Sequence, residues 1–199
     1  MSDFVDPYFD ETIGDLRNLL GAKSPQELKE LEAQIVFANE LELEAAAIAR
    51  TNDVAELLAL HKQLFGNVYD WAGKIRTVDI KKNEDNAEYF LLVSKITDAA
   101  NFVFGELNQE NNLKGLSTEV FVDRLAYFYD QLNYIHPFRE GNGRTQRVFW
   151  TRVARDAGYD INWDDVVGDE NDDASKMAAE AMDLSALKAM FVKIVRHIE

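Results

Sequence analysis

The chain contains no cysteine, which excludes a disulfide framework, thiolate-bound zinc and a thiol nucleophile. It has only three histidines, His61, His136 and His197, too few for a histidine-rich metal site. Basic residues are scarce. Lys and Arg total 21 against 36 Asp and Glu in 199 residues, a formal charge of −15. Affinity for nucleic acid comes chiefly from neutralising phosphates, so no direct nucleic-acid partner is expected. No apolar run approaches the ~18 residues of a membrane span. The start, Met1-Ser2-Asp3-Phe4-Val5-Asp6, lacks the basic residues and apolar stretch of a signal peptide. The expectation is a cytoplasmic protein with no membrane partner. Prolines number three, Pro7, Pro25 and Pro137, which leaves room for long helices.

Helical patterns fill most of the chain. Ser24-Pro25-Gln26-Glu27 reads as a capping box with proline at the first helical position, followed by Leu28, Leu31, Ile35 and Ala38 at helical spacing. Asp53, with Glu56 three residues on, starts a second helix carrying Leu57, Leu60 and Leu64, with Gly66 as its stop. Residues 91–108, 117–135 and 143–157 continue the pattern, and Gly158 ends the last of these. Asp183 caps a final helix with Leu184, Leu187, Phe191 and Ile194. Residues 75–80 break the habit: Ile75, Thr77 and Asp79 alternate with Arg76, Val78 and Ile80, which predicts a short strand before a turn through 83–86. The acidic stretch Asp164 to Asp173 reads as a solvated loop, since its spacing lacks a calcium-loop pattern. His61, on a Leu-rich helix, reads as a satisfied structural histidine, and Trp71, Trp150 and Trp163 read as packing residues.

Chemistry concentrates in His136-Pro137-Phe138-Arg139-Glu140-Gly141-Asn142-Gly143-Arg144-Thr145-Gln146-Arg147. An apolar helix with Leu125, Phe128, Leu132 and Ile135 delivers His136 at its end, and Pro137 stops the helix there. Gly141-Asn142-Gly143 can turn their N–H groups into an anion nest, and the next helix begins close by with its positive end. Arg144 and Arg147, three apart, share one face of that helix. The convergence predicts a site for a triphosphate or pyrophosphate in an otherwise acidic protein. Glu140 would repel phosphate alone, but Mg²⁺ between them makes the carboxylate useful. His136 can accept a proton near neutral pH. Base, metal ligand and phosphate cradle together read as nucleotide-dependent group transfer. Each part alone has a plainer reading: a Gly-Asn-Gly is usually a turn, and a helical Arg pair is usually surface charge.

This segment resembles the signature of the Fic family, His-x-Phe-x-(Asp/Glu)-Gly-Asn-Gly-Arg-x-x-Arg, with every specified position filled. Asp6-Pro7-Tyr8 resembles the opening of short bacterial Fic toxins. The stretch from Leu64 to Ile80 is similar to their helix end and flap strand, and the tail from Asp183 to Val195 to their closing helix. The resemblance implies an all-α fold over residues 1–199, a Fic-type helical bundle with a small β-hairpin flap over the active-site loop. The core spans about 53–157, the flap about 75–90 and the loop 136–147. It further implies a Mg²⁺- and ATP-dependent protein adenylyltransferase of the bacterial cytoplasm, moving AMP to a hydroxyl of a target protein. His136 would be the general base and Glu140 the Mg²⁺ ligand. Glu140, Gly141, Asn142, Gly143, Arg144, Thr145 and Arg147 would bind the nucleotide, with Arg144 near the β-phosphate and Arg147 on the γ-phosphate. Arg76, Thr77, Val78, Asp79, Ile80 and Lys81 would dock an extended target segment by strand addition.

Two further implications follow from the resemblance. A kinase-type relative, the death-on-curing toxin, carries Lys where this chain has Gly143, so Gly143 favours AMP transfer over phosphate transfer. Relatives often place Phe a few residues past the flap turn, where this chain has Ala87, with Phe90 as the nearby substitute. Many Fic proteins also carry an inhibitory pattern, (Ser/Thr)-x-x-x-Glu-(Gly/Asn). Glu110, Glu140 and Glu170 precede Asn or Gly here, but Glu106, His136 and Val166 stand four residues before them. The expectation is a toxin restrained in trans by a small antitoxin whose Glu reaches Arg147. Type II topoisomerase subunits are the targets the resemblance offers. The alternatives are a Fic enzyme using UMP or phosphocholine, a host-directed effector, or a non-catalytic peptide-binding module.

Overall fold

The computed structural model describes residues 6–43, 45–81 and 90–198. Ser24 accepts the Glu27 N–H at 3.2 Å and starts α1 (Pro25–Leu41); the Glu27 carboxylate returns to the Lys23 N–H at 2.7 Å. This capping box predicted the helix start, but the buried face differs from the apolar stripe. Leu28, Glu32, Val36 and Asn39 face inward while Ala38 is exposed. Both polar members have work there. Asn39 Nδ2 donates to the Leu64 carbonyl at 2.8 Å, satisfying one of the orphan acceptors at the end of the next helix. Glu32 points into the functional site.

Asp53 caps α2 (Val54–Phe65) by accepting the Glu56 N–H at 3.1 Å, and the helix stops at Gly66. Three further helices follow: α3 (Val93–Gln109), α4 (Thr118–Ile135) and α5 (Asn142–Asp156). Helix α4 is the centre of the core, burying Phe121, Val122, Leu125, Ala126, Phe128, Tyr129, Leu132 and Ile135. It packs against α3, α5, α6 (Glu170–Ala181) and α7 (Ser185–Ile194). The acidic stretch is therefore not wholly a loop. Helix α6 begins inside it, because Glu170, Asp172 and Asp173 in its first turn meet the positive end of the helix dipole.

Strand structure is minor. β1 (Phe9–Asp10) pairs with β2 (Asp15–Leu16), and β3 (Tyr159–Ile161) with β4 (Val195–His197), both antiparallel. Residues 75–80 do not form a regular strand, although the period of two holds: Arg76 and Val78 are buried and Thr77 and Asp79 exposed. Backbone groups that a ladder would use are bonded elsewhere. The Arg76 N–H goes to the Pro137 carbonyl at 2.9 Å and the Thr77 N–H to the Tyr8 hydroxyl at 2.9 Å. Opposite them, the Phe90 N–H donates to the Ile80 carbonyl at 3.0 Å. The predicted turn at 83–86 and Ala87 lie outside the described residues. Among the described residues, no helix is long and apolar enough to cross a membrane.

Candidate active site

Helix α4 ends at His136, whose backbone is left-handed (φ 46°, ψ 63°) and whose N–H still reaches the Leu132 carbonyl at 3.1 Å. The reversal aims the chain into the loop leading to α5. The imidazole Nδ1 stands 3.1 Å from the Asn133 carbonyl. A carbonyl only accepts, so Nδ1 carries the proton and Nε2 keeps the lone pair. One face of the ring stacks on Phe90, with centroids 3.7 Å apart and planes 12° apart.

The loop itself is held by side chains. Asn142 closes it, accepting the Phe138 N–H through Oδ1 and donating through Nδ2 to the Phe138 carbonyl, both at 2.8 Å. Phe138 is buried and stacks on His61 at 3.8 Å. Thr145, expected among the nucleotide-binding residues, is fully buried, and its hydroxyl donates to the Gly141 carbonyl at 2.9 Å. Gly141 has φ +79°, and a Cβ there would lie 2.5 Å from the Phe65 ring. Only glycine fits this corner.

His61 is the residue that sequence reasoning undervalued. It is fully buried, and its Nδ1 accepts the Gly73 N–H at 2.8 Å. Nε2 therefore carries the hydrogen and donates to the Glu140 carbonyl at 3.0 Å. Burial pushes the imidazole down to about 4, against the help of the Glu140 bond, so the ring is neutral at neutral pH. The structural reading of His61 was right in kind. Its partner, a backbone carbonyl of the chemically loaded loop, carries no signal in the sequence.

Charge around the loop is arranged unequally. Arg144 is gripped by Glu32 of α1 at 2.5 Å and by Glu140 at 3.2 Å, and lies 4.7 Å over the Phe65 ring. The other Glu32 oxygen accepts the Tyr69 hydroxyl. Burial first, and the Glu32 charge second, push the Tyr69 phenol up, so it stays a donor. The Glu140 carboxylate also accepts the Gly141 N–H at 2.8 Å. Arg147 has no ion pair among the described residues. It opens onto a cavity of about 420 Å³ shared with Thr151, Arg152 and Trp163. Gly143 leaves the space beside Arg147 open, the nearest atom to a Cβ there being an Arg147 nitrogen at 3.7 Å.

Of the six predicted docking residues, Thr77, Asp79 and Lys81 are exposed, Ile80 is half-buried and Val78 is buried. Arg76 is buried too, and its guanidinium is filled by three carbonyls, so its side chain belongs to the scaffold rather than to a docking face. Asp79 Oδ1 accepts the Val93 N–H at 2.8 Å and so helps to start α3.

Comparisons with known proteins agree with this geometry. Residues 51–154 match the model of the Fic/DOC family. The chain is 42% identical over 170 residues to protein adenylyltransferase VbhT of Bartonella schoenbuchensis, covering 85% of this chain and 35% of that protein. It is 34% identical over 190 residues to the probable protein adenylyltransferase Fic of Salmonella typhimurium, covering 96% of this chain and 92% of that one. The chain thus spans about a third of the first relative and nearly all of the second. Among solved structures, the N-terminal Fic domain of a Bartonella quintana effector with bound ADP superposes with a TM-score of 0.87, at 27% identity, over 96% of this chain and 95% of that one. BepC of Bartonella tribocorum with bound AMPPNP gives 0.86, at 25% identity, over 96% of this chain and 97% of that one.

Proposed function

This chain belongs to the Fic/DOC family, and from that premise we propose that it is a protein adenylyltransferase that moves AMP from ATP to a Ser, Thr or Tyr hydroxyl of a target protein. The observation that carries the reading is His136 itself, held with Nε2 as the proton acceptor at the start of the loop that leads into the positive end of α5, Gly141–Gly143 and the two arginines. The target hydroxyl oxygen attacks the α-phosphorus, its proton passes to His136 Nε2, and the bond to pyrophosphate breaks. Negative charge grows on the leaving pyrophosphate. The Gly141–Gly143 backbone, Arg144 and Arg147 supply fixed donors for it. Catalysis by these groups is chiefly positioning and electrostatics. Relatives with bound ADP and AMPPNP support ATP as the donor.

A Mg²⁺ ion fits as part of the substrate. Among the described residues no cluster of three acidic or histidine side chains exists, but Mg²⁺ with a nucleotide commonly uses one or two carboxylates and the phosphates. Glu140, 44% exposed at the edge of the nest, would be that carboxylate. The ion would neutralise phosphate charge; Glu140 would release Arg144 to the phosphates while Glu32 keeps its grip.

The restraint we propose is external, as is the cellular role of a bacterial toxin acting in the cytoplasm. Arg147, without an ion pair and facing an open cavity, suits a Glu from a small antitoxin. Type II topoisomerase subunits are proposed targets on the family resemblance. Co-expression with a neighbouring small reading frame should relieve growth arrest; unrelieved arrest refutes the pairing. A host-directed role is the second reading, favoured by the likeness to translocated Bartonella effector domains.

The activity test uses α-labelled and γ-labelled ATP with Mg²⁺ and bacterial lysate. Wild type should label a protein band from the α-label only, and His136→Ala should lose it. Transfer from the γ-label would make the protein a kinase, and a biological effect that survives His136→Ala would make it a binding module.

A further inference from the structure

Arg76 is 1% exposed, and its carboxylate partner, Asp79, is distant, 3.9 Å from one terminal nitrogen, and also accepts the Val93 N–H. The partners of the guanidinium are backbone carbonyls: Nε donates to His136 at 2.8 Å, one terminal nitrogen to Val78 at 2.7 Å and the other to Leu91 at 2.5 Å. Its own N–H donates to the Pro137 carbonyl at 2.9 Å. Burying a cation beside one distant carboxylate is costly unless its donors are satisfied. The fork of an arginine can reach three acceptors lying in one plane, which a lysine cannot. The three acceptors are the segment holding the candidate base and the outgoing and returning segments of the flap stem. Phe90, on the returning segment, stacks on the His136 ring.

We infer that Arg76 is a positioning residue that seats both segments of the flap stem on His136, so that the docking edge and the proton acceptor are placed as one unit. Its consequence for rate rests on the adenylyl-transfer reading; the seating itself does not. A cation buried merely to hold the fold would support the ATP cradle and the flap alike. A seating role separates them, because the cradle has its own supports, His61 and Asn142.

The test is histidine NMR on the full chain, where three imidazoles give separable signals and His136→Ala identifies the relevant one. In wild type the Phe90 ring current should move the His136 signals upfield. Arg76→Lys keeps the charge and leaves Phe90 untouched. It should nonetheless abolish most of that upfield shift while the His61 signals stay in place. The same variant should lower target modification about 100-fold through misplacement of the acceptor, with ATP affinity held within about twofold. An intact His136 shift in folded Arg76→Lys overturns the inference, as does an equal loss of ATP affinity and target modification. If Arg76→Lys does not fold, wild-type amide exchange decides: the Arg76 and Phe90 amides should exchange together, and a far faster Phe90 amide overturns the seating. Wild type that shows the His136 shift but transfers no AMP would refute the reaction and leave the seating standing.

Discussion

Arg144 is held by Glu32, a carboxylate contributed by α1, at 2.5 Å, whereas Arg147, one turn further along α5, has no ion pair among the described residues. The two arginines of one motif are therefore in different energetic positions. Arg144 is anchored before any ligand arrives. Arg147 depends on a ligand or a partner for its counter-charge.

Substitution should separate the two. Arg147→Ala is expected to leave the denaturant midpoint unchanged and to weaken ATP binding about 10–100-fold, the worth of a charge-assisted bond. Arg144→Ala should weaken ATP binding and also cost about 1–3 kcal/mol of stability, since Glu32 is left with only Tyr69. Glu32→Ala should show the same stability loss by urea unfolding. Equal stability effects at Arg144 and Arg147 would refute the asymmetry.

Gly141 and Gly143 should also part company. Gly141→Ala meets both a left-handed backbone and the Phe65 ring, and should cost about 2–3 kcal/mol. Gly143→Ala lies inside α5 with open space around it, and should raise stability by up to about 1 kcal/mol. Phe65→Leu in the Gly141→Ala background should recover part of the loss. Urea unfolding of the set measures all three.

His61 gives a pH signature. Its folded value of about 4 lies below the ordinary 6.5, so the unfolded chain binds a proton first as pH falls. The contribution is complete above pH 6.5 and declines down to about pH 4, a total of about 3 kcal/mol. Unfolding free energies measured between pH 7 and 5 should fall by close to one proton's slope, before carboxylates dominate. His61→Gln, which keeps a donor toward Glu140, should flatten the slope in that window; an unchanged slope would place the proton elsewhere.

Local chemistry was readable where it repeats or caps. The Ser24 and Asp53 starts, the stop before Pro137 and the end at Gly158 all follow from groups within a few residues of one another. The apolar stripe of α4 faced inward as its spacing requires. The stripe of α1 did not, because Glu32 and Asn39 are drawn inward by partners on other elements, Arg144 and the Leu64 carbonyl. The same cause hid the short strand pairs and the helical half of the acidic stretch. Arg76 looked like one polar residue of an alternating strand, and Thr145 like a ligand of the nucleotide. In the fold the side-chain donors of both end on carbonyls.

The amino-acid sequence by itself determined the helical character of the chain, the loop between His136 and α5, and the chemical inventory of that loop. Those properties depend on backbone preferences and charge over a dozen neighbouring residues. Tertiary structure alone decided that Arg144 is paired with Glu32 while Arg147 has no ion pair among the described residues, and that His61 and Arg76 both brace the loop through its backbone carbonyls. The Glu32–Arg144, His61–Glu140 and Arg76–His136 contacts join residues far apart in the chain, and a buried donor is fixed by whichever acceptor the packing brings to it.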